Sequence, residues 1–193
     1  MPSITREERH GIGALERLQT LSRLNDPISS DRLLLEPLVE AHAAELFERL
    51  QDARIYEFTD QIPPATPEEL RAKYRQRESR FSPDRRTIWL NWAIKLKGDA
   101  IYIGFVQATL GGNGIANIGY VIFPDMWGNG YGTEAVKAII DGLATQGITR
   151  FCADVNRHNL RSLKLLQRVG FTEQAPGDEE DWHFALLLAP PSN

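Results

Sequence analysis

Three glycines at alternate positions, Gly128, Gly130 and Gly132, follow the apolar run Tyr120-Val121-Ile122-Phe123 and precede Thr133-Glu134-Ala135, which opens a helix. A strand that runs through glycines into a helix N-terminus gathers unpaired backbone N–H groups and the positive end of the helix dipole in one small volume. That chemistry suits a phosphate or pyrophosphate. The loop is neither of the two common nucleotide cradles. A Walker loop ends in Gly-Lys-Ser/Thr, whereas Gly132 is followed directly by Thr133, and the glycine spacing is G-x-G-x-G where a dinucleotide loop has G-x-G-x-x-G. A second stretch carries Asn159 and Ser162, then Leu163, Leu166 and Val169 at helical spacing, with Gly170 placed to end the helix in a left-handed conformation. A carboxamide and a hydroxyl at such a helix start either cap the helix or serve a ligand.

The two segments, in this order, resemble the GNAT acyltransferases, and in particular the branch similar to the ribosomal-protein N-terminal acetyltransferases of the RimJ/RimL type. Trp127 stands where the family motif usually has arginine or glutamine, a departure which that branch tolerates. The resemblance implies acetyl-CoA as cosubstrate. It places Trp127, Gly128, Asn129, Gly130, Tyr131, Gly132 and Thr133 around the pyrophosphate. Val121, Ile122 and Phe123 would pair with the pantetheine arm as an added strand, a backbone N–H of that segment would support the oxyanion, and Asn159 would hold the cofactor amides. Ser162 would contact the cofactor and act as the catalytic acid for the departing thiolate. The base is left open among Glu57, Asp60, Glu173, Asp181 and a water chain. The implied function is N-acetyl transfer to a primary amine, either a protein N-terminus or a small molecule. A non-catalytic acyl-CoA-binding or sensing module of the same fold is the rival reading.

The elements that must hold these residues are legible in the periodicity. Ser30–Leu38 is similar to the opening strand of this branch, and Leu38, Ala41, Leu46, Phe47 and Leu50 predict a first helix with Pro37 near its start. Thr66-Pro67-Glu68-Glu69 has capping-box spacing for a second helix. Between them, residues 52–64 carry Tyr56, Phe58, Thr59 and Asp60, which either line the acceptor site or pack the loop on the sheet. Ile88, Leu90, Trp92, Ile94 and Leu96 alternate along one strand, a turn at Gly98-Asp99 leads to a second over 101–110, and further strands are expected at 115–123, 149–155 and 182–188. Val136, Ile139, Ile140 and Leu143 stripe the helix after the glycine loop. The expected fold is α/β: a GNAT-like, mixed, mainly antiparallel sheet of six or seven strands, helices on both faces, and strands splayed at the cofactor site. Gly119 is expected to mark a bulge there.

The chain has 193 residues, 42% hydrophobic and 25% charged, which is one globular domain able to bury its own core. We divide it into an N-terminal extension, 1–28, with Ile12, Leu15, Leu18, Leu21 and Leu24 on a helical stripe, and a GNAT domain, 29–193. The extension either docks on its own domain or serves as a dimerisation or partner-binding arm, so a homodimer is among the expected forms. A formal net charge of −4 argues against nucleic acid and anionic membrane as partners. No run of roughly 20 apolar residues spans a membrane, and a single cysteine excludes an internal disulfide, so a cytoplasmic protein is expected. Cys152, within the alternation of Phe151, Ala153 and Val155, is expected to be a buried packing residue. His10, His42, His158 and His183 lack metal-ligand spacing, so no metal is expected.

Overall fold

A computed structural model describes residues 24–174 and 181–189. The expected N-terminal helix and most of the acidic turn before the last strand lie outside these residues. Eight strands form one sheet: β1 (Ile28–Ser29), β2 (Leu33–Pro37), β3 (Ile88–Leu96), β4 (Tyr102–Leu110), β5 (Ile115–Ile122), β6 (Arg150–Asn156), β7 (Thr172–Glu173) and β8 (Asp181–Leu187). Their order is β1-β2-β3-β4-β5-β6-β8-β7, and six of them have five residues or more. Every neighbouring pair is antiparallel except β5 with β6. That parallel pair requires a crossover, supplied by a helix over Tyr131–Ala144. The helices are α1 (His42–Leu46), α2 (Pro67–Glu78), α3 (Tyr131–Ala144) and α4 (Leu160–Val169).

The predicted alternation decides which side of the sheet faces which helices. Ile88, Leu90, Trp92 and Ile94 of β3 join Val106 and Ala108 of β4 and bury against the α3 stripe Val136, Ile139, Ile140 and Leu143 and against Leu163 and Leu166 of α4. We call this the back face. On the front, Ala93 and Phe123 are covered by Ala43 and Leu46 of α1, Leu50, and Leu70 and Tyr74 of α2. Helices therefore cover both faces; among the described residues α1 and α2 pack over the front of β3 and β4 and reach Val121 of β5, and their main contacts do not extend to β6 and β8. Along β4 the asymmetry is plain: Val106, Ala108 and Leu110 are buried, while Phe105, Gln107 and Thr109 are only half-buried.

Local signals end the elements where expected. The Thr66 hydroxyl accepts from the Glu69 N–H at 3.1 Å, and the Glu69 carboxylate reaches back to the Ala65 N–H at 2.9 Å, one residue before the usual capping-box partner. Gly170 closes α4 with φ 106°. Three expectations are corrected. The first helix is only the five residues of α1, followed by 3-10 turns at Glu48–Gln51 and Ala53–Tyr56, and Pro37 ends β2 instead of starting a helix. Pairing of β4 with β5 runs unbroken through Gly119; the register shift falls between Ile94 and Lys95 of β3, opposite Gly104 and Tyr102. Gly104 is the glycine this irregularity needs, because at φ 152° a Cβ would come within 2.0 Å of the Val121 carbonyl oxygen. Finally, Cys152 lies on the face opposite Phe151, Ala153 and Val155 and is half-buried. Burial, then the neighbouring Asp154 charge, push its thiol pKa up, which disfavours a thiolate nucleophile.

The described end of the extension is tied into the sheet. Asn25 exchanges hydrogen bonds with the Asn91 backbone, Trp92 donates to the Asp26 carbonyl at 2.9 Å, and Ile28 pairs with Leu35.

Candidate active site

β5 and β6 are paired only at Ile115↔Arg150, Ala116↔Phe151 and Asn117↔Cys152. Beyond that point Ile118–Ile122 and Ala153–Asn156 part, leaving a wedge-shaped gap with backbone polar groups on its edges. This is the expected splay. Which groups face it is set by the ladder on the other side of β5. The Phe123 N–H donates to the Ile103 carbonyl at 2.9 Å, so by strand alternation Val121 and Phe123 turn their amides towards β4, while Tyr120 and Ile122 turn theirs towards the gap. The Ile122 carbonyl is already engaged by the Trp127 indole N–H at 2.7 Å. Of the expected trio Val121, Ile122 and Phe123, then, only Ile122 keeps an amide for an added chain, and Tyr120 joins it.

The glycine loop leads from this edge into α3. Gly128 and Gly130 have φ of 79° and 80°, a left-handed conformation that side chains disfavour. A Cβ at Gly128 would meet nothing within 4 Å, and one at Gly130 only the Arg32 guanidinium at 3.6 Å. No side chain caps α3. Open space before uncapped first-turn amides fits a pyrophosphate. Gly132 has a different reason to lack a side chain: its Cβ would press on Leu165 at 2.7 Å and Ile122 at 3.3 Å, so this glycine lets α3 lie close against α4 and β5. Thr133 follows, half-buried in the first turn.

The loop is braced from outside. Asn129 donates to the Met126 and Trp127 carbonyls, both at 3.2 Å, and its own carbonyl accepts from Arg32 at 3.0 Å. Arg32 also lies 4.5 Å from the centre of the Tyr131 ring and binds Glu134 at 2.7 Å. Burial raises the Glu134 pKa, but hydrogen bonds from the Arg32 backbone, Ser30 and the Arg32 guanidinium outweigh it and hold the carboxyl below its ordinary value. Arg32 and Glu134 stand 102 residues apart and escaped the sequence reading. Trp127 is flanked by Arg161 at 3.7 Å and Arg54 at 5.9 Å, two cations beside the loop.

At the back of the gap, Ser162 meets Tyr120. Their hydroxyl oxygens are 2.6 Å apart, both half-buried. Burial pushes the Tyr120 pKa up to about 12, the Ser162 bond lowering it slightly, so the phenol stays protonated and can resupply a proton to Ser162. Tyr120 was legible only as an apolar strand residue. Asn159 is the N-cap of α4, its side-chain oxygen accepting from the Ser162 N–H at 3.1 Å. That bond uses the oxygen for capping and leaves the side-chain N–H₂ as a donor.

The 52–64 segment also reaches the loop. Asp52 and Arg54 face Phe123, Pro124 and Asp125 across a cleft of about 230 Å³, where Arg49 pairs with Asp125 and Arg54 with Asp52. Tyr56 donates to the Leu50 carbonyl at 2.8 Å, and Glu57 approaches Arg161 at 3.9 Å. Among the base candidates, Asp60 is exposed on this loop, Glu173 pairs with Phe184 on the back face, and Asp181 pairs with Asn156 at the far end of the front. Among the described residues no group of three or more His, Cys, Asp or Glu side chains could hold a metal, and no helix is long and apolar enough to cross a membrane.

This fold, with a splayed parallel pair and an uncapped glycine loop beside it, is that of an acyl-CoA-dependent transferase family. The family model described as an acetyltransferase (GNAT) domain matches residues 32–172, well over half the chain, and the protein belongs to that family. The chain is 38% identical over 63 residues to the uncharacterized N-acetyltransferase p20 of Bacillus licheniformis, across 32% of this chain and 35% of that protein. It is 30% identical over 88 residues to the uncharacterized N-acetyltransferase YoaA of Bacillus subtilis, across 44% of this chain and 50% of that one. The chain thus spans half or less of the length of these two curated relatives. Among solved structures, RimL, a ribosomal L7/L12 alpha-N-protein acetyltransferase in complex with coenzyme A, superposes with a TM-score of 0.72 at 19% identity, covering 84% of this chain and 98% of that one. The expected GNAT-like mixed, mainly antiparallel sheet is the architecture found, with eight strands in place of six or seven because the two-residue β1 and β7 are too short to show a periodicity.

Proposed function

We propose that the protein is an acetyl-CoA-dependent N-acetyltransferase acting by direct transfer to a primary amine. The Tyr120–Ser162 hydroxyl pair at the back of the splay carries this reading, because a module that only bound acyl-CoA would have no use for a proton supply beside the thioester sulfur. The pyrophosphate rests on the amides of Gly128 to Thr133, with Trp127, Asn129 and Tyr131 shaping the loop. The pantetheine amides pair with the gap-facing backbone of Tyr120 and Ile122 and with the Asn159 carboxamide. The amine nitrogen attacks the thioester carbonyl from the front, forming C–N as C–S breaks. An N–H of Tyr120 or Ile122 supports the oxygen. Ser162 protonates the leaving thiolate and is refilled from Tyr120.

The acceptor is a protein N-terminus or a small amine. The likeness to RimL, a ribosomal L7/L12 alpha-N-protein acetyltransferase, favours the first. The protein is expected to work in the cytoplasm, which agrees with its free half-buried thiol. The test is free-thiol release from acetyl-CoA with peptides beginning in serine or alanine and with small diamines. Release that depends on the amine is expected. Stabilisation by CoA without release from any acceptor would leave only the binding-module reading.

A further inference from the structure

The front of the gap carries a polar network that the proposed chemistry has not yet used. Asn117 is the last residue of β5 paired with β6, and Asp154 lies two residues beyond the last paired residue of β6, so the two flank the point where the strands part. The Asn117 side-chain N–H₂ donates to one Asp154 carboxylate oxygen at 3.0 Å, across the lip of the gap. The other oxygen accepts from Nδ1 of His183, the residue opposite Asp154 on β8. A carboxylate can only accept, so in the neutral imidazole this bond fixes the proton on Nδ1 and leaves the Nε2 lone pair outward. Among the described residues Nε2 has no partner. The side chains of His183 and Asp154 are about half exposed, 52% and 44%, on the part of the front face beyond the main contacts of the described helices.

We propose that His183 is the base that deprotonates the acceptor, that Asp154 positions it, and that Asn117 braces Asp154, so that the acceptor enters as a cationic alkylammonium from the front of the gap. This rests on the transferase reading above. The ammonium gives one proton to Nε2, which passes it to solvent. The freed nitrogen forms the C–N bond as C–S breaks, and the second proton that nitrogen loses balances the one sulfur gains from Ser162. Asn117 and Tyr120 are three residues apart on β5, so the polar network and the hydroxyl pair lie roughly 10 Å apart along that strand. Among the described residues the other titratable or charged groups on this face of β6 and β8 are Asp154, Cys152 and Arg150 of β6 and Asp181 of β8, with Arg150 donating to the Asn113 carbonyl. The Asp154 charge favours binding of the cation.

The experiment measures kcat/KM for the amine against pH in the parent protein and in His183→Gln, Asp154→Asn and Asp181→Asn, using the peptide or diamine that gives the best thiol release. His183→Gln should lose about 10²–10³-fold near neutral pH. Its KM for acetyl-CoA and its CoA-induced rise in melting temperature should stay at parent values. The deficit should shrink as pH rises and the amine deprotonates in solution, and added imidazole should restore part of the rate. Asp154→Asn should lose less and displace the acidic limb of the profile. A folded His183→Gln variant with the parent profile, or loss of the acidic limb on Asp181→Asn alone, would overturn the assignment while leaving the transferase reading intact. If the parent itself releases no thiol with any amine although CoA stabilises it, the transferase reading falls and this assignment falls with it.

Discussion

The two sides of the splay between β5 and β6 are built from opposite materials. At the back, Tyr120 and Ser162 sit among Leu163, Leu166 and the other side chains that pack against the main core, and burial keeps the Tyr120 phenol protonated, its pKa pushed up to about 12. On the front, Asn117, Asp154 and His183 lie beyond the main contacts of the described helices, Asn117 exposed and the side chains of Asp154 and His183 about half exposed. The buried phenol stays protonated away from water, whereas a group that must take a proton and shed it needs access to water. The proposed mechanism follows that contrast, with leaving-group chemistry at the back and acceptor chemistry at the front.

The largest expected effect removes what both sides share. Gly130→Asp should abolish stabilisation by CoA in a protein that still folds, because the new carboxylate repels the pyrophosphate at an open, left-handed position. The parent should gain about 2.7 kcal/mol at a hundredfold excess of CoA over its dissociation constant. An unchanged CoA melting shift in this variant would move the phosphates elsewhere. Ser162→Ala sharpens the contrast by touching the back alone. Turnover should fall by about 10²-fold, the low end for acid assistance because a thiolate leaves readily, with CoA stabilisation retained. Tyr120→Phe should have a smaller effect, about tenfold, since Ser162 can still be reprotonated from solvent. If Ser162→Ala lowers only the melting temperature, its hydroxyl is structural, and if Tyr120→Phe costs more than Ser162→Ala, the order of the relay is reversed.

Stability should follow the same division more weakly. Ile139→Ala, fully buried on α3, should cost about 2–5 kcal/mol in denaturant unfolding. Thr109→Ala, on the half-buried front of β4, should stay within about 0.5 kcal/mol. Equal losses at both positions would mean that something covers the front of the sheet in solution.

Local and periodic features were open to the sequence because neighbours along the chain determine them. The glycine loop, the Thr66 cap, the left-handed Gly170 and the stripes of β3 and α3 each depend on residues within a few positions of one another. The Asn159 cap on the Ser162 N–H was legible for the same reason, the two residues standing three apart at one helix start. Periodicity also gave the wrong side in places. It set Cys152 among the apolar residues beside it, although successive strand residues point to opposite faces, and it ran one helix through a segment that breaks into α1 and two 3-10 turns. Only the tertiary structure decided the remainder of the site. Tyr120 and Ser162 are 42 residues apart, Asn117 and Asp154 are 37, and Asp154 and His183 are 29. Whether such side chains meet depends on strand register and on where β5 and β6 cease to pair, and a slip of one residue would send each of them to the other face. Types and spacings along the chain therefore determined the fold and the candidate cofactor loop. The partners across the gap, and with them the division of proton chemistry proposed for its two sides, were fixed by how the strands align.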